Sequence, residues 1–106
     1  MRALVVGADR IETIRSELLQ SRHLGITRTD HWSGRQVGDN RRAIPIDTRF
    51  VVVVCDRVNH DLLYSVKRQA ASRGLPMVYC RHSLVDLRDK LMRMFADGSL
   101  ACEASA

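Results

Sequence analysis

Hydrophobic residues along this chain arrive in two kinds of block, unbroken β-branched runs and stripes at helical spacing, and the two kinds alternate. Ala3-Leu4-Val5-Val6-Gly7 is the first run. Ile11, Ile14 and Leu18, with Leu19 beside them, recur at helical spacing until His23-Leu24-Gly25 closes the stripe, which predicts a helix with one apolar face. Ile26 to Trp32 alternates polar with apolar and holds three β-branched residues, so an edge strand is expected. Gly34 to Thr48 has two glycines, Pro45 and no period, and reads as a long surface loop or a short distorted crossover.

The most informative run is Phe50-Val51-Val52-Val53-Val54-Cys55, followed by Asp56-Arg57-Val58-Asn59-His60. Absence of alternation predicts a parallel strand covered on both faces. Asn59 then caps a helix carrying Leu62, Leu63, Val66, Ala70 and Ala71, which Gly74 and Pro76 end. Pro76 to Cys80 gives a fourth strand. Ser83 and Asp86 have capping-box spacing ahead of Leu84, Leu87, Leu91 and Met94. The expected fold is a small α/β Rossmann-like three-layer sandwich over residues 1–96, with a four-stranded parallel sheet in the order 2-1-3-4. Residues 97–106 are small and polar, and a disordered tail is expected.

On that frame the carboxyl ends of the strands gather Gly7-Ala8-Asp9, Asp30-His31-Trp32, Asp56 to His60 and Arg81-His82-Ser83. Open parallel sheets bind ligands at this edge, where the chain direction reverses. His60 falls at the reversal and His31 on the neighbouring strand end.

Composition limits what such a site can hold. The chain has 106 residues, enough for one core but with little spare interior for a bulky cofactor. No run approaches the ~20 apolar residues that cross a bilayer, and Met1-Arg2 leads straight into the first strand, so a cytoplasmic protein is expected. Cys55, Cys80 and Cys102 form no CxxC pair, and structural thiols are expected. The net charge is +5, but 15 of the 17 basic residues are arginines scattered along the chain. Only Arg35, Arg41, Arg42 and Arg49 cluster. With one Trp, two Tyr and two Phe, stacking platforms for bases are scarce, and nucleic acid is the weakest of the partner classes.

Several chemistries compete. A dinucleotide site needs glycines where this chain has Asp9, Ile11 and Glu12, and Asp9 would repel a pyrophosphate. Cys80 with His82 or His60 lacks any nucleophile-elbow context. A small-metal site could draw on His31, His60, Asp56 or a cysteine, but no two of these share ligand spacing on one element. Haem differs, because one neutral imidazole can anchor it and apolar contact does the rest; Val58, Trp32 and Leu62 could supply such contact. Each histidine also has a plainer role, His60 starting a helix in water and His31 finishing an edge strand.

Gly7-Ala8-Asp9, His31-Trp32-Ser33-Gly34-Arg35 and Asp56-Arg57-Val58-Asn59-His60 together resemble a family, the short bacterial domain of unknown function numbered twenty-three twenty-five. The likeness covers roughly residues 1–95. Its second motif is usually His-x-Gly-Gly-Arg and its third Asp-x-x-Ser-His; here Ser33 replaces a glycine and Asn59 a serine. The resemblance implies a Rossmann-like homodimer that holds haem iron through histidine and binds oxygen or another diatomic gas. It implies His60, or alternatively His31, as the axial ligand, with the second histidine or Arg35 facing the open position; by ligand chemistry Asn59 could also donate to bound oxygen, and Gly7, Trp32, Val58 and Asp56 are expected around the group. The rival expectation is a module without haem that recognises a nucleotide or anionic metabolite through Arg35, Arg41, Arg42 and the start of the Asn59-capped helix. Nothing in the sequence identifies a turnover reaction.

Overall fold

A computed structural model describes residues 1–36 and 38–100. Strands β1 (Arg2–Val6), β2 (Arg28–Trp32), β3 (Thr48–Val54) and β4 (Met77–Cys80) form one parallel sheet in the order β2-β1-β3-β4. Helices α1 (Glu12–Gln20), α2 (His60–Arg73) and α3 (Leu84–Ala96) complete the domain. The expected α/β architecture and strand order are those observed.

Two apolar layers sandwich the sheet. On one face Ala3, Val5, Phe50, Val52, Val54 and Val78 pack with Ile14 and Leu18 of α1 and Leu87 and Leu91 of α3. On the other, Leu4, Val6, Val51 and Val53 pack with Leu62 and Val66 of α2, Trp32 and Ile44. All seven residues of β3 are buried, because the central strand of a doubly covered sheet has no solvent side. Each fully buried Val or Phe there contributes about 1.5–3 kcal/mol of transfer free energy.

Boundaries differ locally from the sequence expectations. β2 begins at Arg28 rather than Ile26, and β3 at Thr48 rather than Phe50. The register of β1 against β3 shifts between Arg2 and Ala3, so Arg49 has no opposite number. Its side chain turns into the protein and bonds Leu24 O. Arg49 therefore does not belong to a basic loop cluster. Part of the expected tail packs on the domain instead: Leu100 is buried in the first core layer and its N–H bonds Met94 O at 3.1 Å. Residues 101–106, the remainder of the expected tail, lie outside the described residues.

Among the described residues the crossover from β2 to β3 contains no α-helix, yet it is tied down. Asp39, in a single helical turn over Asp39–Arg41, accepts the N–H groups of Gly34 at 3.0 Å and Gln36 at 3.2 Å. Farther along, Gln69 of α2 accepts Ile44 N–H at 2.9 Å and donates to Arg42 O at 2.8 Å. Arg73 donates to the carbonyls of Ile44, Pro45 and Ile46 at 2.7–2.9 Å. Side chains of one helix thus replace the backbone ladder that the segment lacks.

Candidate functional site

A cleft of about 440 Å³ opens at the carboxyl edge of the sheet, lined by Ala8, Asp9, Arg10, Ser33, Arg35, Arg57 and His82. Its walls are the loops that follow all four strands. β1 and β3 are neighbours whose following helices lie on opposite faces, so the cleft occupies the reversal point at which open α/β sheets take ligands.

The floor begins with an unusual turn. Gly7 (φ 99°) and Ala8 (φ 62°) both adopt left-handed backbone. A Cβ on Gly7 would stand 3.0 Å from Arg57 O and 3.1 Å from Val54 O, so glycine is required both by φ and by the close approach of β3. Ala8 has no such freedom and is held by its surroundings. Gly7 N–H bonds Trp32 O at 2.9 Å and Ala8 N–H bonds Arg57 O at 2.8 Å. His31 Nε2 lies 3.0 Å from Gly7 O and 2.9 Å from Ala8 O. Only a protonated Nε2 can serve two carbonyls, which fixes the tautomer of the neutral ring by the network. His31 is thus a brace under the turn.

His82 plays a similar part from the other side. Its Nε2 donates to Arg10 O at 2.7 Å, and its backbone N–H bonds the Asp56 carboxylate at 3.1 Å. The loop after β4 is thereby joined to those after β1 and β3. Ser83 caps α3 by accepting Asp86 N–H at 3.3 Å, but the Asp86 carboxylate bonds Arg81 N–H at 2.7 Å instead of Ser83 N–H. The capping box closes on one side only. That bond and Lys90 hold the Asp86 carboxyl below its usual value.

Charge in the cleft is unbalanced, with three guanidinium groups against one carboxylate. Arg35 pairs with Asp9 across the mouth, their side chains 75 % and 57 % exposed. Such a pair contributes little to stability and exchanges readily with other charged partners. Arg10 and Arg57 are exposed as well.

Of the residues expected around a bound group, Gly7, His31, Trp32 and Val58 meet at the Gly7-Ala8 turn, but only Arg35 lines the cleft. His60 is exposed on the first turn of α2 and its ring makes no hydrogen bond among the described residues; neither it nor His31 lines the cleft. Asn59 accepts Asp61 N–H at 2.8 Å and Leu62 N–H at 3.3 Å, the expected helix cap. Trp32 is 2 % exposed and belongs to the core, with Arg42 stacked 5.1 Å from its ring centroid. Val58 packs beside Gly7, and Asp56 holds His82. Asp30 pairs with Arg2 at 3.3 Å. Of the expected anion-binding arginines, only Arg35 reaches the cleft; Arg42 is committed to Trp32 and to Asp39. Arg10, Arg57 and His82 take those places. The signal for Arg10 and Arg57 was their position directly behind two strand ends.

Haem fits this arrangement poorly. Ala8 is the one apolar residue among those lining the cleft, and the remaining apolar surface is the carbon stems of charged and polar side chains, whereas a porphyrin draws most of its affinity from contact with apolar side chains. His31 has its Nε2 engaged by backbone carbonyls. Among the described residues, no group of three or more His, Cys, Asp or Glu could hold a metal ion, and no helix is long and apolar enough to cross a membrane. No family model matches the chain, and no curated protein or solved structure matches it.

Proposed function

We propose that this protein is a binding module for a small anionic, phosphate-bearing ligand, held in the cleft at the carboxyl edge of the sheet. The observation that carries the reading is the cleft itself: Arg10, Arg35 and Arg57 outnumber Asp9 in a space of about 440 Å³, within the range of small-molecule sites. Guanidinium groups suit phosphate because they offer planar, paired donors. Titrating the full chain with inorganic pyrophosphate and AMP, followed by thermal unfolding, tests this. A rise in Tm that Arg57→Gln abolishes is expected. No response to any phosphate compound would end the reading.

One observation favours a second reading, a haem-binding homodimer that takes a diatomic gas such as oxygen. The His60 ring is exposed and makes no hydrogen bond among the described residues, so it is open to a ligand shared between two copies. Hemin titration then gives a Soret band lost in His60→Ala and kept in Arg57→Gln.

A further inference from the structure

Resting on the phosphate-binding reading, we infer that the ligand is a compact phosphorylated metabolite carrying no aromatic base, and that it binds by displacing Asp9 from Arg35. Nucleotide sites usually bury the base against apolar or aromatic side chains and use polar groups only to orient it. Here the apolar part of the lining comes from Ala8 and the carbon stems of polar side chains, with no large apolar side chain among the lining residues, and the one ring among them, His82, is tethered through Nε2 to Arg10 O. The nearby Trp32, which could stack on a base, is 2 % exposed and covered by Arg42. The space is nonetheless far larger than a single phosphate needs, since a water occupies about 30 Å³ of liquid. A sugar phosphate or a diphosphate fits both constraints.

Charge points the same way. With Asp9 in place the lining carries an excess of two positive charges, close to the charge of a phosphate monoester near pH 7. Asp9 holds Arg35 in an ion pair. An incoming phosphate offers Arg35 a stronger, bidentate acceptor and leaves the Asp9 carboxylate facing the ligand's neutral portion. Sugar hydroxyls are donors that a carboxylate accepts. Asp9 therefore acts both as a competitor for Arg35 and as a hydroxyl acceptor.

Calorimetric titration with ribose 5-phosphate, AMP and pyrophosphate separates these ideas, because ribose 5-phosphate and AMP differ only by adenine. Guanidinium planes can also stack on bases, so the comparison is a true test. Ribose 5-phosphate and AMP are expected to bind within about threefold of each other; a stacked base would favour AMP about tenfold or more, and that result overturns the inference while leaving phosphate binding intact. Failure of all three to bind overturns the phosphate-binding reading itself. Asp9→Asn is expected to tighten pyrophosphate, which has no hydroxyl for Asp9 to accept, by several-fold, with a smaller gain for ribose 5-phosphate. Equal or weaker pyrophosphate binding by Asp9→Asn removes the displacement step.

Discussion

Replacing Asp39 with alanine should loosen the crossover between β2 and β3 and cost about 3 kcal/mol. The carboxylate is 5 % exposed and accepts two backbone N–H groups, from Gly34 at 3.0 Å and Gln36 at 3.2 Å. Hydrogen bonds to a charged acceptor contribute roughly 1.5–3 kcal/mol each. Gly34 is half-buried and Gln36 exposed, so water takes over part of what is lost and the lower part of that range applies to each. The ion pair to Arg42, at 3.4 Å with Arg42 47 % exposed, adds little. Asp39→Asn should cost less than Asp39→Ala, since its carbonyl oxygen can keep the amide bonds while its NH₂ faces the Arg42 guanidinium. Urea unfolding followed by Trp32 fluorescence measures both variants, and Trp32 lies directly beneath Arg42. A cost below about 0.5 kcal/mol for Asp39→Ala would refute the view that this side chain organises the loop bearing Arg35.

Three further outcomes follow from local chemistry. Thr48 Oγ1 is buried without a hydrogen-bond partner among the described residues; Thr48→Val, nearly the same shape, should therefore raise stability by about 1 kcal/mol, and a loss by denaturant titration would show that the hydroxyl has a partner. The Arg88 guanidinium, 2.9 Å away, holds the Glu17 carboxyl below its usual value. A lowered folded-state pKa gives stability that is complete above the ordinary glutamate range and disappears as pH falls through the lowered value. Wild-type Tm should accordingly fall more steeply on acidification than that of Glu17→Gln, and parallel curves would contradict the pairing. Burial pushes the Cys80 thiol up to about 12, while Cys55 is exposed; peptide mapping after native alkylation should find Cys55 labelled and Cys80 protected, and labelling of Cys80 at a comparable rate would contradict its burial.

The sheet was legible in the sequence because its signals are local and strong. Phe50 to Val54 lacks alternation because β3 is covered on both faces, and Asn59 and Gly74 mark the ends of α2 by their own backbone chemistry. The site was legible only as an address. The carboxyl edge and Arg35 follow from strand order, but the partners of a side chain follow from tertiary geometry that spacing does not encode. Asp39 shows this: within an aperiodic segment it looks like any loop carboxylate, and its importance comes from two amides that fold back onto it. Arg49 and Arg42 read as loop cations, yet one turns inward at a register shift and the other lies over Trp32. His31 lies at the end of β2 and His60 follows β3, with β1 between those strands, and pleating sends His31 beneath the Gly7-Ala8 turn, on the layer of Val5, while His60 begins the helix that packs on the other face.

Mapping pyrophosphate onto the isotope-labelled full chain by amide chemical-shift perturbation tests the central claim most directly. Saturable shifts concentrated at Ala8, Asp9, Arg10, Ser33, Arg57 and His82 are the predicted result. Shifts confined to other surfaces, or none at millimolar ligand, would contradict the assignment of this cleft as the binding site.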